Sequence, residues 1–367
     1  MQEDMHYYGT YAMARAAGLQ VKHAKTVAYA AQYVDDSTAN DSEVHDDGGM
    51  LQTIATAHTN SEAIKHAAAD HVEQRKVWVS FHFFPGNEGD TLSEKLACVE
   101  DGALAQEMVK NHIQHAVSVK NEYGLALMGI TAHVYADTFS HYGFSGVSSR
   151  NNAVESDSFE FDVQNEQMLT YINNKYTRFI EKYTPSFIID NWRKLASSGA
   201  ELAVGALGHG GVGTYPDRPF LKWRFTYEKN GRDSGWRNNQ ASFLQGCEKL
   251  HQALTAYAVQ AGLAVNPVNF DDISNKVREI IGKEADMEGR IRAWTTAIQQ
   301  GELFTVESNE ALAYSHEDWE NQKSNFHKLS NSRDATQSEV YQFHQAAIYH
   351  RDYTLKQLLP RHGLVVL

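Results

Sequence analysis

His133, Asp137 and His141 are the residues of this chain whose type and spacing most plainly suit chemistry. They lie in residues 123–146, Tyr-Gly-Leu-Ala-Leu-Met-Gly-Ile-Thr-Ala-His-Val-Tyr-Ala-Asp-Thr-Phe-Ser-His-Tyr-Gly-Phe-Ser-Gly. Their i, i+4, i+8 spacing stacks the three side chains on one stripe of a helix. The rest of that helix is apolar. Two imidazoles and a carboxylate are costly to bury without partners, and one metal ion satisfies all three. The stripe therefore reads as half of a metal site.

Five other places offer the missing half. His6 heads an apolar helix in Asp4-Met-His-Tyr-Tyr-Gly. Asp35 and Asp36 end a second one, and the sequence does not choose between them. His82 sits among aromatics in Trp78-Val-Ser-Phe-His-Phe-Phe-Pro85. His209 lies in a glycine-rich turn, and Asp217 in the proline-braced stretch Thr214-Tyr-Pro-Asp-Arg-Pro219. Phe84, Tyr215 and Arg218 stand near these positions in the sequence, and with His58, in Thr56-Ala-His-Thr, they are candidate substrate contacts. His45-Asp46-Asp47 admits a rival reading as an HD-type pair, but it sits in a polar stretch. His112 and His115 fall on a charged helix and are expected to be solvated.

Imidazole and carboxylate without thiolate suit zinc, with manganese or iron as alternatives, in a hydrolytic site. A carboxylate such as Asp137 can bridge two ions about 3.5–4 Å apart. A water shared by such a pair is acidified to hydroxide near neutral pH, and the ions clamp a phosphodiester for in-line attack.

In this order the motifs resemble those of the zinc-dependent phospholipases C and the related single-strand-specific zinc nucleases. The matching residues are His6, Asp35, His82-Phe-Phe-Pro85, His133-Val-Tyr-Ala-Asp137-Thr-Phe-Ser-His141, and His209 with Asp217. The resemblance covers roughly residues 1–225. The start, Asp4-Met-His-Tyr-Tyr-Gly-Thr-Tyr11, is also similar to that of an uncharacterised bacterial family. The resemblance implies an all-helical enzyme with two or three zinc ions. Asp35, His82, His133 and Asp137 would bind the first ion. His141, His209, Asp217 and a shared Asp137 would bind the second, and His6 would serve a third. It implies catalytic roles for Asp35 and Asp137. The family's N-terminal tryptophan is absent here, so Met1 or Asp4 would have to replace it. The gap between His209 and Asp217 is also longer than the family's.

Helical periodicity dominates the elements that must position these groups. Helices are expected over residues 5–18, ending at Gly18, and over 21–35. A polar loop follows over 36–60, then a loop over 85–91. A long amphipathic helix is expected over 92–122, and the buried helix over 123–141. A loop over 145–160 precedes helices over 165–182 and 186–205. Residues 214–236 suggest a short hairpin or ordered loop. From residue 238 the texture is plain amphipathic helix. The fold expected is all-α: a multi-helix, phospholipase C-like bundle with a metal cluster in a cleft over 1–236. A helical C-terminal region over 237–367 packs on it.

Composition narrows the function. The 367 residues carry a net charge of −13, which argues against stable binding to nucleic acid. Two cysteines argue against a disulfide framework and exclude cysteine-rich zinc binding. The acidic start has no signal-peptide pattern and no apolar run reaches membrane-spanning length. The compartment expected is cytoplasmic, with a specialised secretion system as the route of any export. The leading reading is a metal-dependent phosphoesterase acting through a metal-bridged hydroxide, with a lipid headgroup favoured as substrate. The alternatives are an HD-type nucleotide phosphohydrolase and a non-enzymatic, metal-stabilised helical binding or effector protein.

Overall fold

A computed structural model of the chain describes residues 1–58, 70–183, 207–307, 310, 312–329 and 331–365. Helices dominate it. A π-helical turn at Asp4–Gly9 runs straight into α1 (Thr10–Ala16). Then come α2 (Val21–Asp36), α3 (Ala103–Ser118), α4 (Gly124–His141) and α5 (Glu166–Tyr183). The second half holds α6 (Asn239–Ala261), α7 (Phe270–Ile281), α8 (Met287–Gln299), α9 (His316–Ser324) and α10 (Glu339–Tyr353). The caps are those the sequence supplies. Asn238 accepts a hydrogen bond from the Ala241 amide and Gly262 closes α6 in the left-handed region, while Asp286 and Ser338 cap α8 and α10.

Helix α4 is the central element. Its residues are buried apart from Leu125, and α2, α3, α6 and α10 pack around it. The approach of α2 is close because position 129 lacks a side chain. A Cβ at Gly129 would stand 2.4 Å from the Val27 carbonyl oxygen and 2.5 Å from Ala30 Cβ. One hydrophobic core runs from Met1 to Leu364, so the C-terminal helices share it with the N-terminal ones. A second, aromatic core gathers Phe83, Phe144, Tyr215, Trp223, Phe225 and Tyr227. Over it lies a three-stranded antiparallel sheet with β3 (Glu160–Phe161) and β7 (Arg237–Asn238) on either side of β4 (Lys222–Arg224).

Several expected boundaries move. The helix expected over 92–122 is broken between Leu92–Lys95 and α3. Ala97 and Cys98 instead bridge to Ser145 and Pro85, and Asp101 takes a positive φ of 50° before Gly102. Asp-Gly was the turn signal that helical periodicity overrode. The expected loop over 36–60 contains a hairpin, β1 (Ser42–Val44) with β2 (Met50–Gln52). The expected hairpin beyond residue 214 is found as β5 (Thr226–Tyr227) paired with β6 (Arg232–Asp233). The helix expected over 186–205 lies outside the described residues. No helix among the described residues is long and apolar enough to cross a membrane.

Candidate metal centre

The polar stripe of α4 faces four other parts of the chain. His6 comes from the π-helical turn before α1, and Asp35 from the last turn of α2. His82 ends a second π-helical stretch, Gln74–His82. His209 precedes the short Gly210–Val212 turn, and Asp217 lies in the loop after it. A π-turn carries one residue more than an α-turn and re-aims the side chains around it, and such turns recur at functional sites.

Asp217's loop is fixed from the far side. The Asn239 side-chain amide, at the start of α6, donates to the carbonyls of Tyr215 at 2.8 Å, Pro216 at 3.2 Å and Arg218 at 2.8 Å. Its oxygen accepts from Trp223 Nε1 at 3.1 Å.

The donors fall into three overlapping groups: His6, His133 and Asp137; Asp35, His82 and His133; and His141, His209 and Asp217. Within each group the donor atoms lie within 4.8 Å of one another. Asp137 joins them. Its Oδ1 lies 3.2 Å from His6 Nε2, and its Oδ2 lies 3.3 Å from His133 Nε2 and 3.6 Å from His82 Nδ1. Asp35 Oδ1 stands 3.8 Å from His82 Nδ1, and Asp217 Oδ1 stands 3.1 Å from His141 Nε2. Asp217 Oδ2 is 3.7 Å from His209 Nε2. The backbone nitrogen of Met1 reaches into the same cluster, 2.5 Å from Asp137 Oδ1 and 3.4 Å from Asp217 Oδ1.

Four of the five histidines use their other ring nitrogen on a backbone carbonyl. His133 Nδ1 pairs with Ala31 O at 2.7 Å, and His82 Nε2 with Thr56 O at 2.7 Å. His141 Nδ1 pairs with His82 O at 2.7 Å, and His209 Nδ1 with Gly213 O at 2.6 Å. A histidine that donates one N–H to a carbonyl presents a bare nitrogen with the other, which is the arrangement metal-ligating histidines adopt.

The interior of the cluster is under-satisfied. Among the described residues, both nitrogens of His6 and the Oδ2 of Asp137 are buried without a hydrogen-bond partner. The His6 ring lies stacked on that of His133, with centroids 3.8 Å apart. Uncompensated buried ionisable groups cost several kcal/mol each, so an arrangement with this many converging acceptors fits divalent cations. The donor set, imidazole plus carboxylate, suits zinc or a first-row neighbour.

The electrostatics agree with that reading. Burial alone would raise the Asp137 carboxyl, but His141, the Met1 amine, His133 and His6 together hold it well below the ordinary carboxylate range. Burial pushes His209 down to about 4 against the pull of Asp217. Burial likewise drives His6 far below the usual histidine value. The site thus keeps Asp137 charged and these two imidazoles neutral, the forms that bind metal, whereas burial raises Asp35 and the aspartates around it raise His82.

Between the two adjacent aspartates the structure chooses Asp35. Asp36 points aside and accepts from the Tyr314 hydroxyl at 2.5 Å and from Gln32 at 3.4 Å. It lines the cavity but belongs to none of the donor groups. Asp4 is likewise removed from the candidates. Arg290 of α8 holds it at 2.7 Å through Nε and also reaches Gln2 at 2.6 Å, which anchors the segment carrying Met1 and His6.

A cavity of about 350 Å³ opens over the cluster. Its described lining includes Asp35, His82, Asp137, His141, His209 and Asp217, with Trp78, Phe83, Phe179 and Leu207 as apolar wall. His58 lines it as expected. Three other expected substrate contacts do not. Phe84 is 1% exposed and packs towards His350, and Tyr215 is 2% exposed inside the aromatic core. Arg218 is buried, donates to Thr214 and lies over the Tyr171 ring. Aromatic and arginine neighbours of a ligand face the core as readily as the cavity, and local sequence does not separate the two. His45 is buried in the turn of the first hairpin, where its amide pairs with Gly49 O at 2.8 Å, and Asp46 is exposed. The two join no donor group among the described residues.

Sequence reasoning passed over Asn239 and Arg290. Each acts across the fold, and neither carries a local motif.

These features define a mostly helical protein with a buried histidine–aspartate donor cluster at the floor of a cavity. The chain belongs to a family of unknown function (DUF6765), whose model matches residues 1–358. Comparison with curated proteins and with solved structures gives no match.

Proposed function

We propose that the chain is a divalent-metal-dependent phosphoesterase with a centre of the kind found in zinc-dependent phospholipases C. The observation that carries this reading is the convergence of five histidines and three aspartates from separate segments in one cluster, six of which line the cavity. Asp35, His82, His133 and Asp137 are the ligands of one ion. His141, His209 and Asp217 would hold a second, and His6 with Asp137 would serve a third. Ions held here supply Lewis acidity towards a phosphoryl oxygen and towards water.

The chain's own residues do the rest. Asp137 presents its two oxygens to different partners and so suits a bridge. The backbone carbonyls behind the histidines fix their orientation. Four aspartates and no lysine or arginine are among the described lining residues, and the Met1 amine that also lines the cavity is paired with Asp137. Ions held by these residues would supply most of the positive charge that a phosphoryl group meets there. Trp78 and Phe83 exclude water and offer an apolar surface to the substrate. The net charge of −13 disfavours a polyanionic strand, so a lipid headgroup phosphodiester ranks above single-stranded nucleic acid.

The test is elemental analysis of metal-replete protein followed by hydrolysis assays. At least two divalent ions per chain are expected, with chelator-sensitive turnover of an aryl phosphodiester and of phosphatidylcholine vesicles. Less than about one ion per chain would sink the proposal, since a shared site of this kind binds native protein and stabilises it by mass action. Faster turnover of single-stranded DNA than of any lipid would reverse the substrate ranking alone.

A further inference from the structure

Most titratable side chains lining the cavity are accounted for by the donor groups, and Asp36 is engaged by Tyr314. His58 is not accounted for. It lies two residues after Thr56, whose carbonyl fixes His82. Its side chain is 12% exposed, and its Nε2 is buried with no hydrogen bond to the described residues. That nitrogen faces the Glu73 carboxylate at 3.8 Å. The ring stands at the edge of the Trp78 wall, with centroids 6.1 Å apart, and Trp78 in turn lies 5.3 Å from His82. His58 is thus on the cavity, beside the metal ligands but not one of them, with a carboxylate behind it.

We propose that His58 is the general acid of this centre, protonating the leaving oxygen of the phosphoester, with Glu73 orienting it and stabilising its charged form. The inference rests on the phosphoesterase reading above. The balance is that of ester hydrolysis. Water adds its oxygen to phosphorus as the bond from phosphorus to the leaving oxygen breaks. The proton from His58 passes to that oxygen to give the alcohol, and His58 regains a proton from solvent, to which the attacking water has lost its own. Nε2 is turned to Glu73, so Nδ1 is the nitrogen that serves the cavity. At 3.8 Å the Glu73 carboxylate is beyond hydrogen-bond length and acts on the imidazole as a nearby negative charge that favours its protonated form. Burial pushes His58 below its ordinary value, and Glu73 opposes that.

The experiment compares wild type, His58→Gln and Glu73→Gln on two phosphodiesters that share one half. One releases 4-nitrophenolate, which needs no proton, and the other releases an alkyl alcohol, which does. His58→Gln should slow the alkyl ester by about 10²- to 10⁴-fold, the usual worth of general acid catalysis, with a far smaller loss on the aryl ester. Glu73→Gln should show the same asymmetry in weaker form. Metal content should stay at the wild-type value in both. Equal losses on both esters, or no loss on either, overturn the acid role. A fall in bound metal in His58→Gln would make His58 a ligand and also overturn it. Failure of the metal-replete wild type to cleave either ester defeats the function itself, and that outcome is distinguishable because it precedes any variant.

Discussion

Asp137 shows how much one residue concentrates. It is buried, its two oxygens face different histidines, and the amine of Met1 lies against one of them. Removing a single histidine takes away one donor from one group. Removing the Asp137 charge withdraws the contact shared by the ends of the cluster and leaves the cations closer to unscreened. Asp137→Asn keeps the shape and loses the charge, so it should strip more metal than any one His→Ala change among His82, His141 and His209. Inductively coupled plasma analysis of the purified variants checks this. A normal metal content in Asp137→Asn would make Asp137 an ordinary polar residue of the helix.

At the scale of elements, the site depends on how closely α2 lies on α4. The contact places Ala31 O against His133 Nδ1 and brings Asp35 over the cluster. Gly129 permits it, and a methyl there would meet backbone atoms of α2, which cannot swing aside as a side chain can. Gly129→Ala should therefore cost about 1–3 kcal/mol, as overpacking does. The gain in helix propensity from Gly to Ala, about 1 kcal/mol, works in the opposite direction and is the smaller effect. A thermal melt should show a lower Tm, and metal content should drop with it because His133 and Asp35 move apart. An unchanged or raised Tm would show that the two helices can separate without loss.

Across the whole molecule, buried histidines tie distant segments together. His112 of α3 was expected in solvent, yet it is fully buried. Its Nε2 lies 2.9 Å from His350 Nδ1, and His350 Nε2 lies 2.7 Å from Ser80 O. His115 stacks on Tyr349 at 3.7 Å. Both His350 nitrogens are committed, one donating to Ser80 and one accepting from His112, so a second proton would break the link. Burial pushes His350 down to about 4, against 6.5 for an ordinary histidine. With the folded value below the unfolded one, the unfolded chain takes the proton first as pH falls. The stability is present above pH 6.5 and drains away between 6.5 and about 4. The gap is worth on the order of 3 kcal/mol. His350→Gln keeps an amide donor for Ser80 and cannot titrate. Denaturant unfolding from pH 7 to pH 4 should show a shallower slope for it than for wild type. Parallel slopes would mean that other groups carry the acid sensitivity.

The sequence alone determined the polar stripe of α4, because the 3.6-residue period fixes which residues share a helix face whatever packs there. It also determined the mostly helical class and the short list of partners for the stripe, since histidine and aspartate in apolar or glycine-rich surroundings are costly to bury alone. Asp35 against Asp36, and cavity-facing His58 against core-facing Phe84 and Tyr215, were not legible. Adjacent residues on a helix differ by about 100° of rotation, and only the neighbours in space decide which of them faces the cluster. The hold of Asn239 on the Asp217 loop and of Arg290 on Asp4 was equally hidden, because each joins residues far apart in the chain. Tertiary packing chose those partners. Proximity across a fold leaves no local pattern in the residues that share it.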